Sequence, residues 1–227
     1  HGTDKIIEAI HKRSGKIKAI VVPVKLVATI ITLVTGGSAG KEGPCAQIGA
    51  GLSSVFASLL RVDDHDRKKL VICGISAGFA SVFGTPIAGA IFGLEVLFVG
   101  SILYDVLLPS FVAGITGYRV AWLLGSKHFH RNLNFVPSFN EYLFLQVILA
   151  GIFFGLCSFL LIEVLRSGEK LSKKIQIWKP LKGLIGGSVL IILTLVFSDR
   201  YLGLGGDTIR ASLLGRSVPW NAFLLKI

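Results

Sequence analysis

Charge is scarce in this sequence. Of 227 residues, 16% are Asp, Glu, Lys or Arg, where a soluble globular domain carries about 25%. A hydrophobic share of 52% and a mean hydropathy of +0.71 complete the contrast, and they exclude an ordinary soluble fold. Cysteine is nearly as rare. Cys45, Cys73 and Cys157 all fall in apolar helical stretches; their spacing fits neither a metal site nor a disulfide framework, so they read as small packing residues and no metal is expected. Acidic residues inside the apolar stretches come down to Glu42, Glu95, Asp105 and Glu163, too few to line a cation channel. His11, His65, His128 and His130 all lie in polar segments. No nucleophile–base pair is in sight, which argues against an enzyme, and nothing in the sequence calls for a cofactor. No basic face on a soluble module is visible, which argues against nucleic-acid binding.

What is abundant is the long apolar run. Residues 17–34, 44–60, 103–124 and 141–165 are each long enough to approach or cross the ~30 Å hydrocarbon core, so an all-α, multi-pass protein in a lipid bilayer is expected. The net charge of +11 then belongs to loops. Six basic residues against the single acid Glu169 place residues 166–182 in a cytoplasmic loop of the cell (inner) membrane by the positive-inside rule. The sequence begins with His, carries no signal peptide and ends inside an apolar run opened by Pro219, so a fragment is expected.

The chain is organised around Gly36-Gly37-Ser38-Ala39-Gly40-Lys41-Glu42-Gly43-Pro44. Glycines can adopt positive φ and bare backbone amides, and proline suits the first turn of a helix. The stretch therefore reads as a loop that turns and opens a helix over 44–60. Free N–H groups at a helix start carry partial positive charge and bind anions. Glu42 sits among them, as the anion the site would hold when no other is present. A phosphate loop would need G-x-x-x-x-G-K-[ST]; here an acid follows Lys41 and Thr35 stands five before Gly40, so nucleotide hydrolysis is excluded.

Further along, residues 61–69 read as a charged loop; Asp63, Asp64, His65 and Asp66 are consecutive and cannot all face one ion. Phe83-Gly84-Thr85-Pro86 breaks an apolar stretch into two short helices, and interrupted helices in lipid belong where they are buried or line a cavity. Glu95, in the second piece, is a candidate buried acid, either a structural hydrogen-bond partner or part of a proton route. Lys25 must snorkel or face a wet cavity. Gly206-Asp207-Thr208 and Gly2-Thr3-Asp4 each open a short helix-forming run, as internal transporter repeats would.

These residues carry a resemblance. Gly40-Lys41-Glu42-Gly43-Pro44 with Gln47-Ile48-Gly49 resembles the G-[KR]-E-G-P…Q-I-G signature of the CLC chloride channel and transporter family. The run from Ala77 to Gly89, followed by Leu94-Glu95, is similar to that family's A-G-x-A-A-A-F-x-A-P-x-x-G…L-E segment, and Tyr201-Leu202-Gly203-Leu204-Gly205 to the start of its second half. The resemblance implies a CLC-type broken-helix bundle with an antiparallel internal repeat, residues 1–136 forming the first repeat without its start and 137–227 the start of the second. It implies a homodimer that moves chloride or another halide, with Glu42 blocking the outer anion site and carrying protons in exchangers. Gly40, Lys41, Glu42 and Gly43 would line that site, and His1 and Gly2 the inner one, His1 standing at the serine of the family's G-S-G-I-P motif. Val96 stands where exchangers often place an internal proton glutamate. The second-half anion motif and the pore tyrosine would lie beyond Ile227, so the pore is not expected to close within this chain. Proton-coupled exchange, a passive gated anion channel and a fluoride/proton antiporter are all compatible with the residues present.

Overall fold

A computed structural model describes residues 4–37, 39–96, 104–126, 140–174, 178–197 and 202–219. The chain divides into two units, His1–Phe129 and His130–Ile227.

The first unit begins with α1, Asp4–Lys12, with an acid in its first turn and His11 and Lys12 in its last, each favourable to the helix dipole. Ile6, Ala9 and Ile10 face inward. The helix closes at Ser14, whose left-handed φ of 52° brings the next N–H, that of Gly15, back to the Ala9 carbonyl at 2.9 Å, a Schellman-type C-terminal cap. Helix α2 spans Val21–Val34, α3 Glu42–Leu59 and α4 Asp64–Phe83. Then Gly84, at φ 70°, caps α4, and Pro86 opens the ten-residue α5, Pro86–Glu95. The break expected at Phe83–Pro86 is thus present. Helix α6, Tyr104–Leu123, completes the unit.

Helix α4 is the hub: α3, α5 and α6 pack on it, and α2 packs on α3. The α3–α4 contact is a seam of glycine. A methyl at Gly49 would meet the Gly74 backbone, one at Gly74 would meet Gly49, and one at Gly78 would meet the Cys45 carbonyl. Without side chains there, the two backbones approach directly, as small residues allow in membrane helices. Phe79 of α4 stacks on Phe92 of α5, ring centroids 3.9 Å apart. The core beneath combines Ile6 and Ile10 with Ala46, Ala50, Val71, Ile72, Ile75, Leu94 and Val106. Ser54, 1% exposed, ties the α1–α2 turn to α3: its hydroxyl donates to the Gly15 carbonyl at 2.8 Å and accepts the Ile17 N–H at 2.9 Å.

Two expectations about the loops are corrected. Residues 64–69 are not loop but the first turns of α4. The Asp63 carboxylate caps them by accepting the Asp66 N–H at 3.1 Å, and Asp64 and Asp66 stand in the first turn, where the dipole favours acids. In the second unit, α7 runs over Glu141–Lys174, so residues 166–174 are helix as well. No proline interrupts them, Glu169 pairs with Lys173 one turn on at 2.7 Å, and Lys173 and Lys174 sit in the last turn, where cations suit the dipole. Helix α8, Lys179–Phe197, and the eight-residue α9, Gly206–Leu213, follow.

Every regular element among the described residues is a helix. Of these, α6 and α7 are long and apolar enough to cross a membrane, and α2, α5 and residues 180–196 are shorter apolar helices.

Candidate functional site

The site is built where α2 ends and α3 begins. Thr35 closes α2, its hydroxyl donating to the Ile31 carbonyl at 2.8 Å. Gly36 turns the chain at φ 82°, and the Gly37 N–H returns to the Thr32 carbonyl at 2.8 Å. The chain then enters α3 through Lys41, which is in helical conformation and makes no side-chain cap. Helix α3 therefore starts at Glu42, two residues before the expected Pro44. The reason is that proline lacks an N–H no helix would use anywhere in its first turn, so it does not mark the first residue.

The first bond of this helix end runs from the Cys45 N–H to the Lys41 carbonyl at 3.0 Å. Pro44 has no N–H to offer. The amides of Lys41, Glu42 and Gly43 donate to no backbone acceptor among the described residues, and they are the exposed positive end of the helix dipole. The half-buried Glu42 does not reach out from this end. Its carboxylate folds back over Gly40, occupying the space that a side chain at position 40 would fill. An anion-attracting helix terminus is thus covered by a carboxylate belonging to that same helix. Gly40, Lys41, Glu42 and Gly43, expected to line the outer anion site, all lie at this turn. His1 and Gly2, expected at an inner site, lie outside the described residues, as do Ser38 and Tyr201.

Glu95 is a correction. It is the last residue of α5 and is exposed. Gly89, Ala90, Gly93 and Leu94 form the buried face of α5, which turns Ile87, Ile91 and Glu95, one turn apart, to the outside of this chain. The acid expected to be buried is on the other face. Val96 follows it, half-buried, and Lys25 is half-buried in α2.

The cations near the α4 start are engaged. Arg67, buried, donates to Asp64 at 2.6 Å and to the Val62 carbonyl at 3.3 Å. Lys16, from the α1–α2 turn, pairs with the same carboxylate at 3.3 Å. The Lys16 hydrogen bond holds the Asp64 carboxyl below the ordinary carboxylate value; desolvation opposes the shift, and Ser14 and Arg67 add to it. Sequence reasoning missed two things here: the empty seat at Gly40, which no local signal announces, and Asp63 as a cap, which Asp66 three residues later does signal.

Comparison with known proteins follows the same lines. The family model described as voltage gated chloride channel matches residues 1–227. A chloride/fluoride channel protein of Pseudomonas syringae pv. tomato is 34% identical over 227 residues, covering 97% of this chain and 50% of that protein. A voltage-gated ClC-type chloride channel, ClcB of Shigella flexneri, is 28% identical over 196 residues, covering 84% of this chain and 45% of its own length. The crystal structure of a CLC-type fluoride/proton antiporter superposes with a TM-score of 0.91 at 29% identity, over 99% of this chain and 57% of that one. The chain spans about half the length of the relatives it matches. With a family match along all of its residues and a shared broken-helix architecture, the chain belongs to the voltage-gated chloride channel (CLC) family, whose members are integral membrane proteins.

Proposed function

We propose that this chain supplies part of a transmembrane pathway for a small inorganic anion, chloride in the first instance, and that Glu42 gates the pathway and couples it to proton counter-transport. One observation carries the reading: the Glu42 carboxylate is folded over Gly40 at the start of α3, where the amides of Lys41, Glu42 and Gly43 donate to no backbone acceptor among the described residues. An incoming anion competes with that carboxylate for the same positive helix end. Protonated, Glu42 no longer competes. Proton and anion occupancy are therefore linked, and the linkage is reciprocal: whatever free energy the anion spends in displacing the carboxylate appears as proton affinity.

In this reading His1 and Gly2 contact the anion from the inner side, and the protein is a membrane-embedded homodimer and not an enzyme. Residues 1–136 form the first repeat and 137–227 the start of the second. The basic end of α7 and the residues after it, 166–182, face the cytoplasm at the inner membrane, a placement supported by the positive-inside rule.

A second reading has its own support. The Pseudomonas relative is named for fluoride as well as chloride, and the matching crystal structure is that of a fluoride/proton antiporter. Fluoride is therefore the competing cargo.

The deciding experiment is ion-selective-electrode efflux from liposomes holding the intact protein, loaded with chloride or fluoride, with proton uptake followed in parallel. The anion that drives protons uphill is the cargo. Glu42→Gln, which keeps the shape and removes the charge, should abolish proton movement and leave passive anion flux. A Gln variant that still drives protons removes Glu42 from the coupling. A wild type that moves no protons, with faster anion flux in the variant, makes Glu42 a gate only.

A further inference from the structure

We propose that Gly40 is a positioning residue for the gate: the closed position of Glu42 exists only because residue 40 has no side chain. The inference rests on the reading of Glu42 as the gating carboxylate and deepens it.

Gly40 differs in kind from the other tightly placed glycines of this unit. At Gly49, Gly74 and Gly78 an added methyl would run into the backbone of a neighbouring helix, and relief would require two helices to separate. Among the described residues, the three nearest atoms to an added methyl at Gly40 are Oε2, Cδ and Oε1 of Glu42. That is the far end of a flexible side chain, which can swing away at little cost.

Nor is glycine required at position 40 by the backbone. Its φ lies outside the left-handed region that Gly36, at 82°, occupies. An alanine there is compatible with the turn, and replacing glycine at such a site narrows the unfolded ensemble without straining the folded one. Neither backbone geometry nor helix packing therefore calls for the glycine. What it provides is a volume of the size and place the carboxylate takes. Filling that volume evicts Glu42 toward the open position while leaving its charge and its ability to bind a proton intact. Gly40→Ala thereby separates two properties that Glu42→Gln removes together.

The test uses the intact protein in liposomes, comparing wild type, Gly40→Ala, Glu42→Ala and the double variant for anion flux across pH and for proton uptake. Gly40→Ala should raise anion flux at neutral pH and flatten its pH dependence, by roughly 5- to 150-fold at most, the factor by which an overpacked methyl disfavours the seated state. In the Glu42→Ala background the same substitution should produce no rise in flux, since the group it evicts is gone. Glu42→Asp, one methylene short of the seat, should reproduce the Gly40→Ala phenotype with residue 40 untouched; it carries the test if Gly40→Ala does not fold. The inference is overturned if Gly40→Ala and Glu42→Asp keep the wild-type flux and pH profile while Glu42→Ala alters both. It is equally overturned if Gly40→Ala acts alike with and without Glu42. If Glu42→Ala itself leaves flux and pH profile unchanged, the reading of Glu42 as the gate is what fails.

Discussion

Ser54→Ala offers a sharp test of how the first unit is held together. The hydroxyl of Ser54 serves two backbone groups separated from it by 37 and 39 positions, the Ile17 N–H and the Gly15 carbonyl. Removing it leaves both without a partner. A buried polar group stripped of its partner costs about 1–3 kcal/mol. Gly15 is buried and carries its full share, whereas Ile17 is half-buried and regains some water. The sum is roughly 2–4 kcal/mol, which for a domain of this size lowers the melting midpoint by about 5–15 °C. The neighbouring Ser58→Ala is the control. Among the described residues its hydroxyl bonds back to the Ser54 carbonyl within the same helix, at 3.0 Å, so its effect should stay within about 0.5 kcal/mol. Thermal unfolding of the detergent-solubilised intact protein, followed by far-UV circular dichroism, reads both. If Ser54→Ala melts within about 2 °C of Ser58→Ala, the tie between the α1–α2 turn and α3 contributes nothing and the account of this packing is wrong.

Gly49→Ala should destabilise by about 1–3 kcal/mol, because the methyl meets the Gly74 backbone and α3 must lift from α4; a melting midpoint equal to wild type would contradict the backbone-to-backbone seam. Asp64, whose carboxyl is held below its usual value by Lys16, contributes stability that is present above pH ~3.8 and is lost as pH falls through the lower folded value. The stability gap between wild type and Asp64→Asn should accordingly be constant from neutral pH down to about pH 4 and close below it; a gap that grows on acidification would reverse the sign and refute the assignment. His1→Ser, which restores the residue the family resemblance places at the inner site, should change the chloride-to-fluoride flux ratio in the liposome assay. An unchanged ratio takes His1 out of the pathway.

Much of this architecture was legible in the sequence because its punctuation is local. Gly84-Thr85-Pro86 writes a helix stop and a helix start next to each other, and the structure shows both. Gly15 marks the neighbourhood of the α1 end, although the left-handed residue that closes the helix is Ser14. Boundaries failed where composition was taken for conformation. Residues 64–69 and 166–174 are rich in charge, and charge is as much at home in a capped first turn or a last turn as in a loop. Glu95 failed for a different reason. Hydropathy reports how apolar α5 is but not which face carries the small residues that seat it, and that face, through Gly89, Ala90, Gly93 and Leu94, decides that the acid points the other way. At the site itself, the cluster from Gly40 to Gly43 could be read from the order of residues. The folding back of Glu42 over Gly40 could not, since it depends on a side-chain torsion and on which volume happens to be empty.

The glycine seam between α3 and α4 bears on time as well as on space. With Gly49, Gly74 and Gly78 set against opposing main chain, α3 meets α4 backbone to backbone, and sliding or leaning must work against that close contact. The platform that carries Glu42 is consequently stiff, and the carboxylate is left to move about its own torsions alone. Side-chain rotations of that kind take picoseconds to nanoseconds, whereas helix displacements take microseconds to milliseconds. A gate of the proposed type, hinged on so rigid a mount, would flicker far faster than any ion turns over. Its throughput would be governed by how often a proton or an anion arrives to hold it in one position, and transport should respond to concentration and pH well before it responds to anything that loosens the helices.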